Sequence, residues 1–315
     1  MSLTVAVQMD PLESINIAGD STFALMLSAQ KRGHRMFYYR AEDLTYEDGR
    51  VFAGAYPVEV RPEPGNHFSL GDFTILDLGR DTDVVLMRQD PPFDLGYITA
   101  THLLERIQGQ TLVVNDPAAV RNAPEKVWVL DFARFMPPTV ITRSLSVARQ
   151  FLEEHGEIVV KPLHGNGGKA IFKVGRDGAN LSSLIEVFNT AYREPHMVQA
   201  FLPEIAEGDK RIVLVDGEVA GAINRIPGMG EIRSNLAVGG KAAKTELTER
   251  ELEICAALGP ELKARGLIFV GIDVIGGKWL TEINVTSPTG IVAIDKFNGT
   301  DTAGRIWDAI EARVR

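Results

Sequence analysis

The pattern of apolar segments changes character at about Pro117, and this constrains the fold more than any other feature of the chain. Before it, short apolar runs alternate with helical patterns. Val5 to Met9 stops at Asp10-Pro11, Asp83 to Met87 stops at Arg88-Gln89-Asp90-Pro91-Pro92, and Thr111 to Asn115 closes the series. Between them lies a segment after Asp20 with Phe23, Met26, Leu27 and Gln30 on one helical face and Gly33 as its stop. A second helical pattern falls near Thr99 to Gln108. Apolar runs bounded by turn residues read as buried strands, and strand–helix alternation predicts a parallel α/β layer. The stretch from about Arg40 to Asp77 yields only a hairpin around Glu47-Asp48-Gly49.

After Pro117 the pattern is α+β. A helix is expected through Lys126 to Phe135, ended by Met136-Pro137-Pro138 because the residue before a proline is pushed out of the helical region. Glu157 to Lys161 reads as a strand, followed by the loop His164-Gly165-Asn166-Gly167-Gly168-Lys169 and the strand-like Ala170 to Val174. Two hairpins follow. Arg211 to Val215 and Glu218 to Asn224 flank Asp216-Gly217, and Ile268 to Ile275 and Lys278 to Asn284 flank Gly276-Gly277. Thr248 to Arg265 and Asp301 to Arg313 read as helices.

Composition narrows the class. Among 315 residues, 33 Lys and Arg against 42 Asp and Glu leave a net charge of −9, which argues against a nucleic-acid surface. The single cysteine, Cys255, excludes a disulfide framework and a cysteine zinc site, and its helical setting predicts a buried thiol. No run approaches the about 18–20 apolar residues of a membrane span, and the N-terminus lacks the basic start of a signal peptide. A soluble protein of a reducing compartment is expected.

Three groups of residues could carry chemistry. Gly165-Asn166-Gly167-Gly168 lets backbone N–H groups approach a polyphosphate without obstruction by Cβ atoms. The string fits a dinucleotide fingerprint, but a β-like IFKV follows where that fingerprint needs a helix. A plain turn and a phosphate clamp fit the loop equally well. Lys161, ending an apolar strand as a cleft-facing cation, shifts the balance toward phosphate.

The acidic hairpin is sharper. With Gly276-Gly277 as a two-residue turn, Asp273 lies opposite Leu280, and Asp273, Glu282 and Asn284 project from one face. Two carboxylates and an amide oxygen are hard ligands suited to Mg²⁺ bound with substrate phosphates. The alternative is a solvated sheet face, which the apolar flanks IFVGIDVI and WLTEINV disfavour. A one-residue slip would put Asp273 and Glu282 on opposite faces. Arg88, Arg211, Arg225 and Arg233 make the third group. Each alone reads as a surface charge, but beside a phosphate loop they suggest an anionic substrate.

Six blocks together resemble the prokaryotic glutathione synthetase family of ATP-grasp ligases. They are MDPLESINIAGDSTFALMLSAQKRG, LMRQDPPFD, IVVKPLHGNGGKAIF, EGDKRIVLVDGE, RIPGMGEIRSNLAVGGK and LIFVGIDVIGGKWLTEINVTSPTGI. The resemblance implies an α/β substrate-binding domain over 1–122 (the pre-ATP-grasp domain), a central lid over 123–202 and a C-terminal ATP-grasp domain over 203–315. It implies a cytoplasmic homotetramer that joins γ-glutamylcysteine to glycine with ATP and two Mg²⁺, or Mn²⁺, through an acyl phosphate. Another ATP-grasp carboxylate–amine ligase is the alternative.

Carried over by position, Lys126, Lys161 and Gly165, Asn166, Gly167 and Gly168 contact nucleotide phosphates. Gln199, Ala200 and Leu202 hold adenine, with Asp209 near the ribose. Asp273, Glu282 and Asn284 hold the metal ions. Arg211, Arg225, Arg233 and Asn235 face the γ-phosphate and acyl phosphate, and Asn16, Ser21, Arg88 and Asp90 help form the dipeptide pocket. His164 and Asn166 depart from the family, where an acidic residue and a Met are familiar. The glycine-rich segment from Ile226 to Lys241, carrying Arg233 and Asn235, is expected to act as a lid over the acyl phosphate.

Overall fold

A computed structural model of the chain describes residues 2–228, 230–235 and 239–314. Met229 and Leu236 to Val238, within the expected lid segment, lie outside the described residues. The first sheet is built from β1 (Thr4–Gln8), β2 (Arg35–Tyr39), β3 (Leu44–Glu47), β4 (Arg50–Val60), β5 (Phe68–Leu70), β6 (Thr74–Asp77), β7 (Val84–Met87) and β8 (Leu112–Val114). Its centre, β2-β1-β7-β8, is parallel as the alternation predicts, with α1 (Ser21–Lys31) and α2 (Leu95–Glu105) in the crossovers. Asp20 caps α1 by accepting from Phe23 N–H at 2.6 Å. The unclear stretch forms the antiparallel flank of this sheet, β4 pairing with β2, β3, β5 and β6.

After the short helix α3 (Pro117–Arg121), residues Trp128–Phe135 form a 3₁₀ segment with a non-helical Phe132, in place of the expected regular helix. Trp128, Val129 and Phe135 are buried with Leu280 and Ile283, so this segment packs on the last sheet. The middle sheet, β9 (Thr139–Thr142), β10 (Ile158–Pro162), β11 (Phe172–Val174) and β12 (His196–Ala200), is antiparallel in the order β11-β10-β12-β9. It has its own core with α4 (Leu145–His155) and α5 (Leu181–Ala191), centred on Leu152, Ile158, Ile185 and Phe188.

The last sheet runs β15-β14-β13-β16-β17, from β13 (Asp209–Val215), β14 (Glu218–Ile226), β15 (Lys241–Ala243), β16 (Phe269–Ile275) and β17 (Trp279–Asn284). Asp216 and Gly217 both take positive φ in the β13–β14 turn, as a tight two-residue hairpin needs. A capping box between Thr248 and Glu251 starts α6 (Glu249–Ala264), on which Cys255 is buried as expected. Two helices close the chain, α7 (Ile291–Asn298), which the sequence reading did not contain, and α8 (Thr302–Val314). The buried Trp307 of α8 donates its indole N–H to Leu25 O of α1 at 2.9 Å. Asn115, just after β8, clasps the last sheet through Phe269 and Val285.

Candidate active site

The centre of the site is a buried charge network on β13, β14 and β16. Arg211 pairs across the strands with Asp273 and donates to both its oxygens, at 2.6 and 3.0 Å. Arg225, opposite Asp209, bridges Asp209 Oδ2 at 2.5 Å and Asp273 Oδ1 at 3.0 Å. Burial raises the Asp273 carboxyl, but the two guanidinium groups outweigh it and hold the group well below the usual carboxylate range. Burial, with the neighbouring Asp273 charge, pushes Asp209 up to about 6 against the pull of Arg225, Ser234 Oγ and Arg211. Arg225 Nε is buried without a partner among the described residues, an N–H left for an oxygen from outside the protein.

The acidic hairpin reaches the expected face by a different route. Ile275 pairs with Trp279, so the turn holds three residues, Gly276 to Lys278. That shift alone would set Glu282 on the face opposite Asp273. A bulge between Asp273 and Val274 adds a second one-residue shift, and Asp273 pairs directly with Glu282 rather than lying opposite Leu280. Asn284 spends its amide N–H groups on Gly271 O and Asp273 Oδ2, so its carbonyl oxygen accepts nothing among the described residues. The oxygen-only donor set fits a hard cation. With both Asp273 oxygens held by arginine, Glu282 and the Asn284 carbonyl are its readier donors.

Two cavities meet at this face. The first is lined by Lys126, Lys161, Gly165, Gly167 and Gly168 of the glycine loop (Asn166 lines the second), Gln199 to Leu202, Asp209, Arg233, Asn235 and Glu282. Lys161 is buried with no hydrogen-bond acceptor among the described residues, and burial lowers its pKa. Lys126 donates to Gly165 O at 2.6 Å and lies 3.3 Å from Glu282 Oε1. Burial opposes its charge, but Glu282 and Glu125 prevail and raise its pKa. Gly168 takes φ +74, and a Cβ there would fall 2.7 Å from Asn235 Oδ1, so the glycine loop and the segment carrying Arg233 touch. Arg233 itself is ion-paired with Glu231 at 2.9 Å. Ala200 and Phe201 spend their N–H groups on Pro138 O and Glu157 O, leaving the Leu202 N–H without an acceptor among the described residues.

The second cavity is lined by Asp90, Glu125, Arg211, Arg225, Asn235, Glu282, Asn284 and the loop Ser287 to Gly290. Arg88 reaches this loop through Pro288 O at 2.9 Å, Asp90 through Ser287 Oγ at 2.5 Å, and Ser21 Oγ accepts from Gly290 N–H. Asn16 is not brought in. It is exposed in the turn before α1, where its side chain accepts from Ala18 N–H, and it lines neither cavity. Glu125 was missed in the sequence reading although it adjoins Lys126. Its carbonyl accepts from Ile283 N–H at 3.2 Å, and burial pushes its carboxyl up to about 7 against the pull of Lys126.

The family model for the prokaryotic glutathione synthetase N-terminal domain matches residues 3–121, and that for its ATP-grasp domain matches residues 125–299. The chain belongs to the prokaryotic glutathione synthetase family. It is therefore an ATP-dependent carbon–nitrogen ligase of the ATP-grasp fold, with an N-terminal α/β domain preceding the ATP-grasp domain. It is 57% identical to a glutathione synthetase of Rhodopseudomonas palustris over 313 residues, 99% of both chains. It is 46% identical to one of Shewanella oneidensis over 99% of both. Among solved structures, D-cycloserine synthetase DcsG aligns over 99% of this chain and 100% of its own, with a TM-score of 0.71 at 18% identity. The ATP-grasp ligase PsnB, in complex with Mg and ADP, gives a TM-score of 0.63 at 18% identity over 100% of this chain and 99% of its own. These two share the fold with this glutathione synthetase family member.

Proposed function

We propose that this chain is a glutathione synthetase that joins the cysteinyl carboxylate of γ-glutamylcysteine to glycine, with ATP as phosphoryl donor. The observation that carries the reading is the pair of cavities meeting at Glu282 and Asn235, one with a buried lysine that has no acceptor among the described residues and the other with arginines. In the first, Lys126, Lys161 and the loop Gly165 to Gly168 take the ATP phosphates. Leu202 N–H, beside Gln199 and Ala200, takes the adenine edge, with Asp209 toward the ribose. At the second, Asp90 lines the cavity and Ser21 and Arg88 hold its loop Ser287 to Gly290, and these residues with Asn16 help form the dipeptide pocket.

The dipeptide carboxylate attacks the γ-phosphorus, ADP leaves, and an acyl phosphate forms. Arg211, Arg225 and Arg233, with Asn235, face the charge that develops in this transfer. Asp273, Glu282 and Asn284 would hold two Mg²⁺ ions, or Mn²⁺, which when bound neutralise phosphate charge. The glycine amine then attacks the acyl carbon and phosphate leaves with the C–O electrons. The lid, residues 123–202, and the segment carrying Arg233 keep water from the intermediate. Residues 1–122 and 203–315 supply the other two domains of this division.

We also propose a cytoplasmic homotetramer, on the resemblance to the family. Phe73 and Ile75, 57% and 59% exposed beside Tyr56, offer an apolar sheet face for assembly. No helix among the described residues is long and apolar enough to cross a membrane. The test is ADP and glutathione release with ATP and Mg²⁺. Both γ-glutamylcysteine and glycine should be required, and faster turnover with glutamate as acceptor would favour another ligase. Light scattering of the purified protein tests the tetramer.

A further inference from the structure

We propose that Glu125 binds the ammonium group of the incoming amino acid and sets it beside the acyl phosphate, an inference that rests on the substrate pair proposed above. Glu125 is a carboxylate whose side chain is 16% exposed, and its one ion partner among the described residues is Lys126, at 3.9 Å. That lysine is held more closely by Gly165 O at 2.6 Å and Glu282 at 3.3 Å. Thr286 Oγ1 adds a long contact of 3.4 Å. A buried carboxylate needs a cationic partner, and a cationic ligand can supply it.

Position says which cation. Glu125 and Glu282 lie within 3.9 Å of the same Lys126 ammonium, and Glu282 lines both cavities. Glu125 therefore stands at the junction where the phosphoryl group is transferred. The dipeptide's own ammonium is at the far end of that substrate from its reacting carboxylate. Of the two substrate ammonium groups, the one that must come close to the junction is therefore the acceptor's. The backbone bond from Ile283 N–H to the Glu125 main-chain carbonyl holds this residue beside β17, next to Glu282, on the strand that carries the site.

The test is Glu125→Gln assayed with two acceptors in the full-length protein. Glycine carries a positive amine at neutral pH, whereas hydroxylamine is uncharged and traps an acyl phosphate as its hydroxamate. Loss of a charge-assisted contact should raise the KM for glycine about ten- to a hundredfold, with a much smaller fall in hydroxamate formed from the dipeptide. Glu125→Asp should recover part of the glycine affinity. Equal losses with both acceptors, or an unchanged KM for glycine, would overturn the assignment. Failure of the underlying reading would show in the wild-type protein, which would trap no hydroxamate from the dipeptide, and the role of Glu125 would fall with it.

Discussion

Arg211 and Asp273 face each other across β13 and β16 and are joined by two hydrogen bonds, with Arg225 as the second cation on the carboxylate and Asn284 donating to it at 3.3 Å. Removing one member of a buried pair leaves a charge poorly compensated, which costs about 3–5 kcal/mol. Arg211→Ala should therefore lower Tm by several degrees as well as abolish turnover, because Arg225 still partly offsets Asp273. Arg211→Lys cannot make the paired contact and should recover little. A thermal melt of each variant decides it, and an unchanged Tm counts against a structural share for this pair.

Glu282→Gln and Asn284→Ala should cut turnover by at least about ten- to a hundredfold, with melting little changed. Raising Mg²⁺ should restore part of the loss. Near-full activity of either variant at limiting Mg²⁺ removes that residue from the metal set.

Lys161 is a buried ammonium in the first cavity, without an acceptor among the described residues. Lys161→Ala should weaken ATP binding about ten- to a hundredfold as read by calorimetry, and relieving a buried charge should leave stability equal or higher. Equal affinity would mean the lysine does not meet the nucleotide.

Arg233→Ala should raise ATP hydrolysis relative to glutathione formed, since this side chain lines the first cavity beside Asn235. The ratio of phosphate released to product measures the coupling. A ratio of one in the variant would make the segment a surface loop.

His164 stacks on Phe93, and burial holds its imidazole below the ordinary value, with Glu194 opposing. A histidine whose folded pKa is depressed favours the folded state when neutral. Its contribution is present above about 6.5 and is lost as pH falls from there toward the folded value. The Tm difference between the wild type and His164→Asn should shrink between about pH 7 and pH 5.5. A constant difference would show that the ring titrates normally.

The parallel centre of the first sheet was legible because β1, β7 and β8 are apolar runs with turn residues at their ends. Its antiparallel flank was not, because β5 and β6 are short and mix exposed with buried positions. The shared face of Asp273 and Glu282 was reached from the sequence by a register that the hairpin does not use. Lys278 lengthens the turn, and the bulge at Thr281 cancels the displacement. Neither shift has a sequence signature of its own, since Thr281 Oγ1 donating to Asp273 O depends on the assembled hairpin. Glu125 escaped notice because nothing in the local sequence marks it beside Lys126, and its place in the site comes from the folded hairpin, through the bond from Ile283 and the lining of the second cavity.

The docking of α8 on α1 bears on how the chain comes off the ribosome. Leu25 and Phe23 of α1 share a buried cluster with Ile306, Trp307 and Ile310 of α8, and Trp307 follows Leu25 by 282 residues. Helix α1 therefore waits, one face uncovered, until α8 has been made. A product stalled or truncated before α8 would expose this apolar face of α1. Quality control of such a product would act on its N-terminal domain.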